Sequence, residues 1–295
     1  MTTEPRVAFL FPGQGSLPTG LPPMSSLIDD LYAIALESNL NLKAWLQDDN
    51  RDRLTQTDAA QPTILIDSMA RDARLREAGI EPAFVAGHSL GEFSALASSG
   101  VLHTSDALDL VIARGAAMSG VEGTMAAIVK LDLQTVTAFC DAVGPDVVVA
   151  NHNGAKQVVV SGLADAVGHV IDAAARAGGR GIPLRVSGPF HSPFMEPSQE
   201  TFVRILDQIP FHTPSCPVIC AVTGRPETGG ETLHNLMRVQ MTSCVQWVDV
   251  VRQLVDEGVT HAIEVGAGDV LSNLGRRITD EIRFIAYEEA IHGTL

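Results

Sequence analysis

The stretch Val85-Ala86-Gly87-His88-Ser89-Leu90-Gly91-Glu92-Phe93 decides the fold of this chain. Residues 83–86 are apolar and suit a buried strand, whereas residues 93–97 are small or apolar and suit a closely packed helix. The glycines on either side of Ser89 give the pattern Gly-x-Ser-x-Gly, which lets the backbone turn sharply from strand to helix. The sequence therefore predicts a nucleophile elbow with Ser89 at its corner, where a helix N-terminus favours a developing negative charge.

Composition excludes several classes of function. A chain of 295 residues can bury a full core, and its net charge of −15 argues against a nucleic acid or an anionic membrane surface as a partner. We find no basic-then-apolar leader and no apolar run long enough to span a membrane, so we expect a cytoplasmic protein. Four scattered cysteines lack paired metal-ligand spacing, so we expect reduced thiols and no metal site: Cys140, Cys216, Cys220 and Cys244.

Two further segments point to an α/β fold. The apolar residues 7–11 read as a strand that ends at Pro12-Gly13-Gln14-Gly15-Ser16, a loop able to present backbone N–H groups to an anion. A helix is predicted from Gln61-Pro62-Thr63 to about Glu77. Residues 124–187 then follow the order β-α-β-β-α-β of a ferredoxin-like unit. We therefore predict an α/β-hydrolase-like large domain, residues 1–123 and 188–295, with an inserted ferredoxin-like small domain at 124–187.

A base for the serine is predicted on a loop at the domain boundary. His191 lies between a Gly-Pro turn and a proline, and loops at such places commonly carry chemistry. A histidine that titrates near neutrality is the usual base for a serine nucleophile. A hydrolase would also need a carboxylate to orient the imidazole, and spacing selects none from six candidates: Asp109, Asp132, Asp141, Asp146, Asp165 and Asp172. Arg114 lies in a predicted helix, where most arginines are solvated.

Seven short motifs lie in order along nearly the whole chain: Phe11-Pro12-Gly13-Gln14-Gly15-Ser16, Gly87-His88-Ser89-Leu90-Gly91-Glu92, Arg114-Gly115, Asn151-His152-Asn153, Gly188-Pro189-Phe190-His191-Ser192, Val245-Gln246-Trp247 and Glu264-Val265-Gly266. Together they resemble the ordered motifs of the malonyl-CoA:acyl-carrier-protein transacylases. The chain departs from that pattern in the segment from Leu17 to Leu40, which is shorter than usual, and at Ser243-Cys244, where the family commonly has Asn-Pro.

The resemblance implies a role for each residue of a catalytic centre. Ser89 becomes malonylated, and His191 acts first as general base and then as general acid. The imidazole is oriented by a backbone carbonyl, at the position that Gln246 matches, rather than by a carboxylate. Backbone N–H groups of Gln14 and Leu90 form the oxyanion hole.

The same resemblance implies how the acyl group is selected. Arg114 clamps the free carboxylate of malonate, for which a planar guanidinium is suited. Phe190 disfavours a branched methylmalonyl group, and His88 and Asn151 are further pocket residues. Malonyl-CoA is the substrate, and no metal or bound cofactor is required. The acceptor is an acyl carrier protein, usually acidic, so docking would need a local basic rim, with five candidates: Lys156, Arg180, Arg185, Arg276 and Arg277.

Three other functions remain open at this point. A transacylase subunit of malonate decarboxylase would have a similar site and a different carrier. A serine thioesterase or esterase would have little use for a carboxylate clamp at Arg114. A non-catalytic assembly protein on this fold would not need Ser89.

Overall fold

A computed structural model describes residues 5–48 and 50–293 of the chain. The described residues form ten strands: β1 (Val7–Phe11), β2 (Phe84–Gly87), β3 (Thr124–Val129), β4 (Val147–Gly154), β5 (Gln157–Gly162), β6 (Arg180–Pro183), β7 (Val218–Cys220), β8 (Arg225–Glu227), β9 (His261–Glu264) and β10 (Arg283–Ala286). The α-helices there are α1 (Ser26–Glu37), α2 (Leu42–Gln47), α3 (Arg51–Leu54), α4 (Thr57–Glu77), α5 (Gly91–Ser98), α6 (Thr104–Met118), α7 (Leu133–Val143), α8 (Ala164–Arg176), α9 (Glu196–Leu206), α10 (Gly230–Met237), α11 (Trp247–Asp256), α12 (Val270–Gly275) and α13 (Tyr287–His292).

The larger sheet has the strand order β10-β9-β1-β2-β7-β8. All its pairs are parallel except the antiparallel pair of β7 and β8 at one edge. The central strand β1 is buried along its whole length, because successive residues such as Phe9 and Leu10 pack into the separate cores on the two faces of the sheet. Phe11 pairs with Gly87, so the glycine-rich loop after β1 and the elbow after β2 lie side by side.

The smaller sheet is antiparallel and has the order β4-β5-β3-β6. Helices α7 and α8 pack on it through buried residues such as Val136, Cys140 and Val170. The fold is thus an α/β-hydrolase-like large unit with a ferredoxin-like insertion, whereas the exact boundaries at 124 and 187 stay a prediction. None of the described helices combines the length and the apolar character needed to cross a bilayer.

The elbow requires glycine on both sides of the serine. A Cβ atom on Gly91 would lie 2.0 Å from the carbonyl oxygen of Phe11, and one on Gly87 would lie 2.1 Å from the carbonyl carbon of Gly91. Ser89 itself has a φ of 54°, in the left-handed region that side chains larger than glycine rarely adopt. The packing of α5 against the ends of β1 and β2 therefore holds the serine in a strained backbone conformation.

Replacing Gly91 with alanine is expected to lower the free energy of unfolding by about 3 kcal/mol, since the methyl group overlaps backbone that cannot move aside. Thermal unfolding followed by circular dichroism measures the change. Gly168→Ala is the matched control, because a Cβ at this position in α8 meets no atom within 4 Å. The control is expected to stabilise by about 0.5–1 kcal/mol. Equal effects of the two changes would contradict the close approach at Gly91.

Helix α4 begins earlier than the sequence predicts. It starts at Thr57 rather than at Gln61, and Pro62 lies inside it. The first four N–H groups of a helix have no intrahelical partner, so a proline at the sixth position removes only the bond to Asp58. The earlier start places Gln61 in the helix interior, fully buried, where its side-chain oxygen accepts a hydrogen bond from Arg114.

Candidate active site

A cavity of about 450 Å³ lies at the carboxyl ends of β1 and β2, between the two sheets. Gln14, His88, Ser89, Leu90, Arg114 and His191 line it from the large unit and its loops. An apolar wall comes from α6, the smaller sheet and the segment that follows it: Met118, Met125, Ala127, Val159, Leu184 and Val186. The cavity therefore combines an apolar channel with convergent polar groups, which is the usual composition of a ligand site.

Ser89 and His191 form a direct hydrogen bond. Ser89 Oγ lies 2.7 Å from His191 Nε2, although the two residues are 102 positions apart. His191 also has a positive φ, 58°, and the hydroxyl of Ser192 donates to the carbonyl of Pro189 within the same turn. The loop is thus shaped to present the imidazole to the Ser89 hydroxyl.

Two carbonyl groups orient the imidazole. His191 Nδ1 lies 2.9 Å from Ser243 O and 3.2 Å from Gln240 O. Carbonyl oxygens only accept, so Nδ1 carries the proton and Nε2 of the neutral ring is free to accept the proton of Ser89. An acid is not needed for this orientation.

The expectation that Gln246 supplies this carbonyl is wrong. Gln246 is the residue before α11, and its N–H donates to Ala221 O. The turn that follows α10 brings Gln240 and Ser243 to His191 instead. Val245 then pairs with Asn151, and this isolated bridge holds the turn against β4.

The environment of His191 opposes a positive charge on its ring. Burial, the Arg114 guanidinium and His88 together lower the pKa of His191 to about 3. His191 is 4% exposed. The imidazole is therefore neutral, and available as a base, well below the pH at which an ordinary histidine protonates.

Catalysis is expected to persist at acidic pH. With the pKa of His191 near 3, kcat/KM at pH 5 should stay within about twofold of its value at pH 7.5, whereas a base with an ordinary pKa near 6.5 would lose about thirtyfold. Steady-state rates from pH 4.5 to 8, with circular dichroism as a control for folding, measure this. The unfolded chain takes up this proton below about pH 6.5 and the folded chain does not, so stability should fall as pH drops through that range.

Arg114 is buried beside Ser89. It is 1% exposed, and its Nη2 lies 3.3 Å from Ser89 Oγ. Its Nη1 donates to Gln61 Oε1 at 2.7 Å and Nη2 donates to Gln240 Oε1 at 3.1 Å, whereas Nε has no hydrogen-bond partner among the described residues. Burial lowers the pKa of Arg114 to about 10, which still leaves it charged at neutral pH. A buried cation held by neutral amides is suited to bind an anionic group.

Gln61 and Gln240 were not foreseen from the sequence. Both are buried and both accept from Arg114, although neither was predicted as a site residue. An amide in a helix or a turn has no local pattern that distinguishes it from a surface residue. The only available signal was the position of Gln61 beside the proline of α4.

The backbone N–H groups of Gln14 and Leu90 border the cavity next to Ser89. In the part of the chain that the structure describes, neither group donates to a backbone or side-chain acceptor. The side chain of Gln14 donates to Thr57 Oγ1 at 3.1 Å, which fixes the loop after β1. These two donors are therefore available to an oxyanion on the nucleophile side of the cavity.

His88, Asn151 and Phe190 also line the cavity. His88 Nε2 lies 2.9 Å from Asn153 Oδ1, and its ring packs edge-on against Trp247. Asn153, quoted only as part of a motif, is thus the partner of His88. Phe190 is 6% exposed and lies directly before His191 in the chain.

The chain matches a known protein family along most of its length. The family model for the acyl transferase domain matches residues 26–290. Malonyl CoA-acyl carrier protein transacylase of Bacillus subtilis is 36% identical over 300 residues, covering 96% of this chain and 94% of the relative.

Solved structures give the same result. An acyl carrier protein S-malonyltransferase of Vibrio cholerae has a TM-score of 0.89 at 34% identity, covering 95% of this chain and 96% of that one. A malonyl-transacylase in complex with its type II polyketide synthase acyl carrier protein has a TM-score of 0.88 at 31% identity, covering 97% and 99%. The chain therefore belongs to the acyl transferase family, with the malonyl-CoA:acyl-carrier-protein transacylases.

Proposed function

We propose that this protein transfers a malonyl group from malonyl-CoA to the phosphopantetheine thiol of an acyl carrier protein, through a malonyl ester of Ser89. The observation that carries the proposal is Arg114, a buried guanidinium 3.3 Å from the nucleophile in a cavity with an apolar channel. It is placed to pair with the free carboxylate of a short dicarboxylic acyl group. The named relatives, which include a transacylase bound to a carrier protein, support the same acyl group and acceptor.

In the first half-reaction, Ser89 Oγ attacks the thioester carbonyl while His191 Nε2 takes the hydroxyl proton. The carbonyl oxygen becomes an oxyanion that accepts from the N–H groups of Gln14 and Leu90. Collapse of this intermediate breaks the C–S bond, and CoA leaves with the proton from His191. Ser89 then carries the malonyl ester, with the malonyl carboxylate on Arg114.

The second half-reaction repeats these steps in reverse order. The phosphopantetheine thiol gives its proton to His191 and attacks the ester carbonyl. The C–O bond to Ser89 breaks, and His191 returns the proton to the serine oxygen. The reaction needs no metal or bound cofactor, since the CoA thioester is itself a substrate.

The mouth of the cavity offers a place for the carrier. Arg277 is exposed and lines the cavity, and its Nη1 donates to Gln157 Oε1 across the two units at 3.2 Å. Lys156 pairs with Asp132 and Arg276 donates to Phe284 O. Of the five expected basic residues, only Arg277 lines the cavity, so it is the candidate placed to meet an acidic carrier there. A cytoplasmic location belongs to the proposal, and the unpaired state of Cys140, Cys216, Cys220 and Cys244 supports it.

Intact-protein mass spectrometry after mixing with malonyl-CoA tests the proposal. A malonyl adduct on the wild type, absent from a Ser89→Ala variant and discharged by an added holo carrier protein, is the expected result. Steady CoA release without an adduct or transfer would instead indicate a thioesterase. Discharge by a malonate decarboxylase carrier, but not by a fatty-acid or polyketide carrier, would reassign the acceptor. If the protein neither forms an adduct nor releases CoA, malonyl transfer is contradicted.

A further inference from the structure

One fully buried carboxylate lies behind the catalytic centre and takes no part in the reaction above. Glu92 is in the first turn of α5 and is 0% exposed. Its Oε1 accepts from the N–H of Ala221 at 3.0 Å, and its Oε2 accepts from Gln240 Nε2 at 3.0 Å. Burying a carboxylate is costly, so its contacts indicate what it holds in place.

Gln240 connects Glu92 to the reacting groups. Besides the bond to Glu92, its Nε2 donates to Ser89 O at 2.7 Å, and its Oε1 accepts from Arg114 Nη2 at 3.1 Å. Its main-chain carbonyl accepts from His191 at 3.2 Å. An amide has donors on one side and an acceptor on the other, so its partners decide which way round it lies. The two acceptors facing Nε2 leave Oε1 directed at Arg114.

We propose that Glu92 is a positioning residue for acyl-group selection. It holds the Gln240 amide with its oxygen towards Arg114, and it balances the charge of the guanidinium without contacting it directly. A carboxylate in direct contact with Arg114 would compete with the carboxylate of the substrate. The neutral amide of Gln240 lies between Glu92 and Arg114. It orients the guanidinium and leaves it free to pair with the carboxylate of the substrate. This inference rests on the proposed function and names the residues that set its specificity.

Glu92→Gln removes the charge without changing the size of the side chain. The new amide must turn its NH₂ group either to the N–H of Ala221 or to the NH₂ of Gln240. If Gln240 turns over to relieve the second contact, its own NH₂ faces Arg114 and Ser89 O loses a donor. Every arrangement therefore leaves a donor facing a donor, and the hold on Arg114 weakens.

The test compares malonyl-CoA with acetyl-CoA, which lacks the carboxylate. In Glu92→Gln, the ratio of kcat/KM for malonyl-CoA to that for acetyl-CoA is expected to fall about tenfold or more, mainly through a higher KM for malonyl-CoA. Glu264→Gln is the matched control. Glu264 is another fully buried carboxylate, but it accepts from the N–H groups of Leu271 and Ser272 and bonds to neither Arg114 nor Gln240. This control should leave the ratio unchanged, even where it lowers thermal stability.

A second variant tests the route of the effect. Gln240→Leu removes the amide and keeps the main-chain carbonyl, so it should lower the same ratio. Adding Glu92→Gln to that background should have no further effect on the ratio, because Glu92 acts through Gln240. Should Glu92→Gln not fold, an unchanged ratio in Gln240→Leu alone would overturn the inference.

The outcomes separate the inference from the proposed function. A wild-type protein that forms no malonyl adduct overturns the function. A wild type that forms the adduct, with an unchanged ratio in a folded Glu92→Gln variant or with additive losses in the double variant, overturns only the positioning role of Glu92.

Discussion

Replacing His191 with asparagine is expected to lower kcat/KM for malonyl transfer about a thousandfold or more, because the general base is lost. Asparagine is chosen because His191 has a φ of 58°, a conformation that asparagine adopts more readily than alanine does. Its amide cannot take the proton of Ser89, so kcat and kcat/KM should both fall. Rapid-quench measurement of acyl-enzyme formation, read by intact mass, gives the rate of the first half-reaction.

A matched change on the surface separates loss of the base from loss of the fold. His169 lies on the exposed side of α8, so His169→Asn should leave the rate of acylation unchanged. Both variants should unfold at temperatures close to that of the wild type. A loss of less than tenfold in a folded His191→Asn variant would mean that another group accepts the proton.

The elbow was predictable from sequence because its requirements are local. A Cβ atom on Gly87 or Gly91 would lie about 2 Å from backbone atoms of neighbouring residues or of β1, so both positions need glycine. A pattern of five residues is therefore enough to predict the elbow. The ferredoxin-like order was readable for a similar reason, since its strands and helices differ in the period of their apolar residues. The sequence predicts that α4 starts at Gln61, because proline is common at the first position of helices. The helix begins one turn earlier, at Thr57, and Pro62 lies inside it.

The contacts around Arg114 depend on the fold as a whole and were not predictable in this way. Gln240 donates to the carbonyl of a serine 151 positions before it, and Gln61 reaches Arg114 from another helix. The choice of carbonyl for His191 has the same origin. A resemblance placed the orienting group near Val245-Gln246-Trp247, whereas the geometry of the turn before it brings Gln240 and Ser243 to the ring.

Two substitutions of Arg114 are expected to separate its charge from its shape. Arg114→Lys keeps the charge, but one ammonium group cannot bond to Gln61, Gln240 and a carboxylate in the geometry of a guanidinium, so kcat/KM for malonyl-CoA should fall about a hundredfold. Arg114→Met keeps an unbranched, flexible side chain but is shorter and lacks the charge, so it should cost more for malonyl-CoA. Single-turnover acylation with malonyl-CoA and acetyl-CoA measures both variants.

The acetyl-CoA reaction decides what the arginine does. In the wild type, an acetyl group leaves the buried cation without a carboxylate partner, so acetyl-CoA is disfavoured by the cost of desolvating that charge. Arg114→Met removes this cost, and kcat/KM for acetyl-CoA should stay level or rise while that for malonyl-CoA falls. Arg76→Lys is the control, since Arg76 pairs with Asp72 and Ser98 outside the cavity and should leave both rates unchanged. An equal fall for both substrates in Arg114→Met would mean that Arg114 supports Ser89 rather than selects the acyl group.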